Sequence, residues 1–211
     1  MVSKSSYKII FLGDSDVGKS ALHSGFAGRR YTPQATVRLE FAFCNVKIDG
    51  KSIFVELWDT AGMERIHDAI AKSYYRKAHG ALLVFDLTNP VSLLNIETWL
   101  DKCEMNATGP LWKVLVGNKT DSLSRAVRPE TANRRGYADD PMQEYAVARG
   151  IKYFETSAND VESIQKAIHC LVKLIDDAET ESNPEVPRGE TVDLSAEATA
   201  GNNSSSCICY Y

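Results

Sequence analysis

Gly13-Asp14-Ser15-Asp16-Val17-Gly18-Lys19-Ser20 has the residue types and spacing of a phosphate cradle, G-x-x-x-x-G-K-[ST]. Its glycines let the backbone curl until successive N–H groups point inward at phosphate oxygens. Lys19 adds a cation, Ser20 offers a hydroxyl to Mg2+, and the helix that follows presents its positive end. The segment expected to contact phosphate is therefore Ser15, Asp16, Val17, Gly18, Lys19, Ser20 and Ala21. The octet sits directly after the apolar run Ile9-Ile10-Phe11-Leu12 and before a helix-like stretch. That context separates a phosphate loop from a plain glycine turn.

Further segments supply complementary groups, in an order that suits one site. In Trp58-Asp59-Thr60-Ala61-Gly62, the Asp59 carboxylate can hold Mg2+ through water, and the Gly62 N–H can meet a terminal phosphate. Thr36 can add a hydroxyl to Mg2+ and a backbone N–H to the same phosphate. In Asn118-Lys119-Thr120-Asp121, the Asp121 carboxylate can accept two hydrogen bonds from N1 and N2 of guanine. Adenine has no such donor pair, so the segment reads guanine. Thr156-Ser157-Ala158-Asn159 can offer a backbone N–H to the guanine carbonyl. Together these residues predict GTP/GDP binding with Mg2+ held by Ser20, Thr36 and, through water, Asp59.

The elements needed to position these groups are visible as short apolar runs with helix-length spacers. Ile9–Leu12, Ala81–Asp86, Val114–Gly117 and Lys152–Glu155 are nearly uniformly apolar or strand-like, which suits a parallel sheet buried on both faces. Leu39–Ile48 and Ser52–Trp58 flank Asp49-Gly50 and read as a hairpin. Val161, Ile164, Ile168, Leu171 and Ile175 recur at helical spacing and predict a final amphipathic helix. The expected fold is α/β: a three-layer P-loop NTPase sandwich on a mostly parallel six-stranded sheet with one antiparallel edge hairpin. Ligands in such sheets bind at the carboxyl ends of the strands, where all the motifs fall.

Composition places limits on the rest. Hydrophobic residues at 44% and charged residues at 25% suit a globular protein with a substantial core. No apolar stretch is long enough to span a bilayer, and the short N-terminus leaves no room for a signal peptide. Five cysteines show neither metal-ligand nor disulfide-framework spacing, which points to a reducing compartment. From Ala178 on, six acidic residues face one basic residue, a net −5, which leaves residues 1–177 at +1. A nearly neutral body with an acidic tail disfavours nucleic acid as a partner. Ser, Asn, Glu, Pro, Thr and Gly dominate after Asp177, so 178–206 reads as a flexible tail behind a domain of residues 1–177.

Over roughly residues 5–177 the chain resembles the Ras superfamily, and its Rab branch in particular. The resemblance is carried by Leu57-Trp58-Asp59-Thr60-Ala61-Gly62, Tyr74-Tyr75-Arg76-Lys77-Ala78, Leu83-Val84-Phe85-Asp86-Leu87-Thr88, Glu155-Thr156-Ser157-Ala158 and two cysteines near the C-terminus. It implies a small GTPase that switches in vesicle and membrane traffic, binding effectors with GTP and releasing them after hydrolysis. The implied switch segments span about 29–41 and 59–76 and are ordered by the γ-phosphate and Mg2+. Tyr31 falls where the family has an aromatic that stacks on guanine. The implied partners are an exchange factor, a GTPase-activating protein, a prenylation escort, a GDP-dissociation inhibitor and effectors. The protein is expected to be a monomer on the cytosolic face of an intracellular membrane, held there by prenyl groups.

Several positions depart from the family pattern. Met63 stands where a glutamine orients the attacking water, and a thioether cannot donate a hydrogen bond. Among the catalytic parts, Lys19 and Thr36 are kept and the water guide is not. Slow intrinsic hydrolysis is expected, roughly 10²–10⁴-fold being at stake. An activating protein that supplies its own glutamine would restore turnover. The alternative is a non-cycling, constitutively GTP-bound effector-binding module. Only four residues separate Tyr31 from Thr36, two fewer than the family has, and Arg38 replaces a glycine on the effector face. Asp16 replaces a loop glycine and either repels phosphate, speeding nucleotide release, or points to water. The segment between Asp121 and Tyr153, with Arg134-Arg135 and Asp139-Asp140, exceeds the family length by roughly nine residues and reads as a solvated loop. His67 reads as an exposed loop histidine. At the C-terminus, Cys207-Ile208-Cys209-Tyr210-Tyr211 lacks a cysteine fourth from the end, so it is no C-a-a-X box. Cys207 and Cys209 resemble a double geranylgeranylation site, although family members have little or nothing after the pair.

Overall fold

The computed structural model describes residues 6–29, 40–59, 73–122, 141–182 and 208–210. Strands β1 (Ser6–Leu12), β3 (Lys51–Asp59), β4 (Gly80–Asp86), β5 (Trp112–Asn118) and β6 (Lys152–Thr156) run parallel, and β2 (Glu40–Ile48) is antiparallel to β3. The helices are α1 (Lys19–Phe26), α2 (Pro90–Leu94), α3 (Ile96–Asn106), α4 (Pro141–Ala148) and α5 (Val161–Ser182). A last strand, β7 (Ile208–Tyr210), extends the sheet to the order β6-β5-β4-β1-β3-β2-β7. The six expected strands and their one antiparallel hairpin are all present; the seventh comes from the C-terminus and was not expected.

Alternation explains the layers. In β1, Ile9 and Phe11 face one side of the sheet while Ile10 and Leu12 face the other, all fully or almost fully buried. The first face packs on α1 and α5 through Leu22, Phe26, Ile164, Ile168, Leu171 and Ile175. The second packs on α3 through Ile96, Trp99, Leu100 and Cys103, with Tyr74 and Tyr75 beside them. Each fully buried aliphatic or aromatic side chain contributes roughly 1.5–3 kcal/mol. Val161, read from the sequence as part of the α5 stripe, is instead 43% exposed at the first position of the helix, and the buried stripe begins at Ile164. The helix also runs on to Ser182, past the Asp177 boundary expected from composition.

The β2–β3 turn has both central residues at positive φ, Asp49 at 47° and Gly50 at 80°, the twist that a two-residue hairpin favours. The α5 helix clamps it from one side. Lys173 Nζ lies 2.7 Å from Asp49 Oδ2, Lys51 Nζ lies 3.1 Å from Asp176 Oδ2, and the Tyr7 hydroxyl donates to Asp176 Oδ1 at 3.0 Å. Cys103 and Cys170 are free thiols, and burial pushes the Cys103 thiol up to about 12. No described helix is long and apolar enough to cross a membrane.

Candidate nucleotide-binding site

The parallel register sets the site. Phe11 pairs with Asp59, Leu12 with Leu83, Asp86 with Asn118, and Asn118 with Thr156. The carboxyl ends of β1, β3, β4, β5 and β6 therefore finish along one edge of the sheet, and the loops leaving them share a face.

Residues 13–18 cross from β1 into α1 along that face. Gly13 has φ 145°, and a Cβ there would lie 2.1 Å from the Val84 carbonyl oxygen. Gly18 has φ 97°, and its Cβ would lie 2.3 Å from Asn118 Nδ2. Only glycine lets the loop sit this close to the ends of β4 and β5. Asp16 keeps a glycine-like backbone, φ 65°, and its side chain is exposed; a short polar residue tolerates that region better than most. Val17 and Ala21 are buried in the core, anchoring the loop from beneath. Lys19 is only 4% exposed, and its ammonium donates to the Gly13 carbonyl at 2.7 Å and the Asp14 carbonyl at 2.6 Å. That folds the cation back across the mouth of the loop. Ser20 is buried in the first turn of α1, and Asp59 is fully buried at the end of β3.

Sequence reasoning missed the outer support of this loop. The Asp14 carboxylate accepts from Asn95 Nδ2 at 2.6 Å and from the Trp99 indole N–H at 2.9 Å. A phosphate-loop residue is thereby tied to the start of α3. A buried tryptophan N–H needs an acceptor, which was the available clue, but the partner lies 85 positions away.

The base-side residues are joined to the loop rather than merely near it. Asn118 is buried; its Nδ2 donates to the Val17 carbonyl at 2.8 Å, and its Oδ1 accepts from the Thr156 hydroxyl at 3.3 Å. Lys119 has φ 71°, and its Nζ lies 2.6 Å from Asp86 Oδ2. Burial pushes the Asp86 carboxyl up, but Lys119 and Thr88 outweigh it and hold the group below its ordinary value. Asp121 accepts from Asn159 Nδ2 at 2.8 Å, and hydrogen bonds from Ser157 and Asn159 keep it ionised and lower its pKa. The Ser157 N–H donates to Ser163 Oγ at 3.2 Å, and the Asn159 N–H to Ser157 Oγ at 3.0 Å.

Of the predicted site residues, those from Ser15 to Ala21, Asp59, Asn118, Lys119, Asp121 and Ser157 to Asn159 are thus gathered at one end of the sheet. Tyr31, Thr36, Arg38, Gly62, Met63, His67, the 134–140 residues and Cys207 lie outside the described residues; Cys209 lies in β7. A cleft of about 390 Å³ lined by Lys8, Glu56, Trp58 and Arg76 opens elsewhere, beside the amino-terminal half of β1. Lys8 Nζ lies 3.7 Å from the Trp58 ring centroid there and donates to the Ser73 and Arg76 carbonyls.

The residues present fit a nucleotide with a hard cation. The glycine cradle is closed to any Cβ, and the hydroxyl of Ser20 and carboxylate of Asp59 are the oxygen ligands that Mg2+ prefers. Comparison with known proteins agrees. A sequence model described as the Ras family matches residues 8–177. The chain is 33% identical over 214 residues to Ras-related protein RABA2a of Arabidopsis thaliana, covering 96% of this chain and 93% of that one. It is 35% identical over 210 residues to Ras-related protein RABE1e of the same plant, covering 97% and 92%. With the sheet order, the loop geometry and these matches in agreement over nearly the whole chain, the protein belongs to the Ras family of small GTPases, in its Rab branch.

Proposed function

We propose that this protein is a GTP/GDP switch in intracellular membrane trafficking whose intrinsic hydrolysis is slow. The observation that carries the reading is the Asn118 bridge, which fastens the guanine-reading loop to the phosphate loop through the Val17 carbonyl. One rigid unit then presents phosphate and base contacts at a fixed separation. Loop amides from Ser15 to Ala21 and the Lys19 ammonium hold the phosphates, and Mg2+, when bound, neutralises charge that develops on them. Ser20 and Thr36 supply its protein oxygens, with Asp59 acting through water, and the Gly62 N–H meets the terminal phosphate. Asp121, kept ionised by Ser157 and Asn159, accepts from the guanine edge. With the Ser157 and Asn159 amides committed within their own turn, the guanine carbonyl falls to the Ala158 N–H. Tyr31 stacks on the base.

Met63 leaves the attacking water without a hydrogen-bonding guide, so intrinsic turnover depends on the remaining binding parts. Cys207 and Cys209 carry two prenyl groups, because one lipid gives only marginal attachment and the acidic tail offers no polybasic second signal. The partners are those of a cycling Rab: exchange factor, activating protein, escort, GDP-dissociation inhibitor and effectors.

The first test is the nucleotide that co-purifies with the protein, followed over hours by chromatography of the released nucleotide. Persistent GTP is expected. GDP from the outset would refute the role given to Met63 while leaving guanine binding intact, and an adenine nucleotide would refute the site. Adding an activating protein then separates a slow switch, which turns over, from a permanently GTP-bound effector platform, which does not.

A further inference from the structure

The edge strand β2 is long and would present an unpaired row of backbone groups if it ended the sheet. Its turn is a two-residue hairpin, so Ile48 and Lys51 form the hydrogen-bonded pair beside it. Counting back in twos, Val46, Cys44 and Ala42 aim their backbone groups at β3, while Asn45 and Phe43 aim theirs at the outer edge. Phe43 is 40% exposed and Phe41 39%, with Phe43 stacked on Phe54 at 5.8 Å between centroids. Such an edge invites strand addition unless something covers it.

Something does. Residues 208–210 lie antiparallel to β2, with Phe43 opposite Tyr210, Cys44 opposite Cys209 and Asn45 opposite Ile208. Two of the β2 residues whose backbone groups point outward, Asn45 and Phe43, are the ones paired with Ile208 and Tyr210. Composition agrees with this placement. The chain from 178 to 206 is polar and acidic, yet it ends in Cys207-Ile208-Cys209-Tyr210-Tyr211, a cluster of strand-favouring residues with no charged side chain. A pair of lipid-accepting cysteines gives no reason for Tyr210 and Tyr211 to follow. Reach is no obstacle either. The α5 helix is clamped to the β2–β3 turn by Lys173 and Asp176, so the tail departs close to β2. Twenty-five residues, 183 to 207, join the helix to β7, and a flexible linker of that many residues would have an end-to-end span of roughly 25–30 Å.

We propose that in the unlipidated chain the outer edge of β2 is a strand-addition surface whose resident occupant is this chain's own C-terminus, and that release of residues 208–210, which membrane attachment through Cys207 and Cys209 would require, opens the edge to an extended segment of a partner. The occupant is short and held mostly through backbone, so it is displaceable by any longer strand that offers more pairs. The tether makes it the default occupant, because an attached segment competes at high effective concentration.

The test is disulfide trapping in the full chain, unlipidated, with Cys170, Cys207 and Cys209 replaced by serine. Residues directly opposite on antiparallel strands have Cα atoms roughly 4.5–5.5 Å apart, within disulfide range. The pair Phe43→Cys with Tyr210→Cys is expected to form an intramolecular disulfide. The control Lys47→Cys with Tyr210→Cys, displaced by roughly 13 Å along the strand, is expected to form little. Equal yields from both pairs would overturn the register, and a disulfide-linked dimer would assign the edge to a second copy's tail instead. Hydrogen exchange of the Phe43 and Asn45 amides gives an independent readout. In Ile208→Pro/Tyr210→Pro, which alters only the tail, exchange at both amides is expected to speed up roughly tenfold, about the worth of one net hydrogen bond. Unchanged exchange would overturn the proposal.

Discussion

His23→Leu should make the protein more stable, and the gain should grow as the solution is acidified. His23 lies on the inner face of α1 with no exposed surface, its ring edge-on to Phe11 at 5.8 Å between centroids. Neither ring nitrogen has a hydrogen-bond partner of good geometry; the Leu57 carbonyl is the polar group nearest in effect. Burial lowers its pKa from the ordinary 6.5 to about 4, opposed by the Glu40 carboxylate and assisted by Arg29. The native state therefore holds the imidazole neutral where the unfolded chain would protonate it. The stability this contributes is complete above pH 6.5, declines as pH falls, and is gone below about 4. At about 1.4 kcal/mol per pKa unit the whole effect is about 3 kcal/mol, of which about 2 kcal/mol is lost by pH 5.

Leucine keeps the contact with Phe11, removes two poorly partnered nitrogens and cannot titrate. At pH 7 it is expected to stabilise by about 1 kcal/mol, from the polar group no longer buried. Urea unfolding of parent and variant, at one fixed concentration of nucleotide and Mg2+, cancels the pH dependence of ligand binding in the difference. The gap between the two proteins should widen by about 2 kcal/mol between pH 7 and pH 5. A gap that stays constant across that range would refute the assignment of the acid sensitivity to His23.

Asp121→Asn should weaken GDP binding by roughly 10²–10³-fold, the loss of two charge-assisted hydrogen bonds, and should favour xanthosine diphosphate, whose edge offers the acceptor that an amide N–H can meet. Competition between the two nucleotides for a fluorescent analogue measures both. Met63→Gln should accelerate single-turnover GTP hydrolysis by roughly 10²–10⁴-fold, the range of such positioning; an unchanged rate would show that water is guided from elsewhere. Asp16→Gly should stabilise by about 0.5–1 kcal/mol by relieving a left-handed backbone. Since its carboxylate faces solvent, the GDP off-rate should stay within about twofold of the parent, and a markedly slower release would restore the phosphate-repulsion reading.

What the sequence made legible was whatever is encoded within a few residues. The strands were readable because burial on both faces leaves runs such as Ile9–Leu12 with no polar interruption, and the hairpin because Asp49-Gly50 is a turn that few other pairs form. The Asp14 tether to Asn95 and Trp99 was not, since nothing local marks which acceptor a distant indole finds. The burial of His23 escaped for a related reason: one polar residue on a helix barely alters its periodicity, and the cost appears only when the sheet closes over it. The C-terminal strand was hidden by competing meanings, because two cysteines near a chain end suggest lipid before they suggest pairing.

The glycines of the phosphate loop illustrate how a motif can be read correctly for an incomplete reason. Their spacing points to a backbone curled around phosphate, which requires freedom in φ. Gly13 and Gly18 do occupy that region, but each also lies where a methyl group would collide with another element, the Val84 carbonyl or the Asn118 amide. The same absence of a side chain that admits a ligand from above admits β4 and β5 from below. Asp16 marks the contrast: it has the positive φ without the close approach, and there the chain tolerates a side chain. Conformational freedom alone therefore does not force glycine in this loop. The close approach does, and it couples the phosphate cradle to the guanine-reading strand end, so Gly18→Ala should disturb both halves of the site together by displacing Asn118.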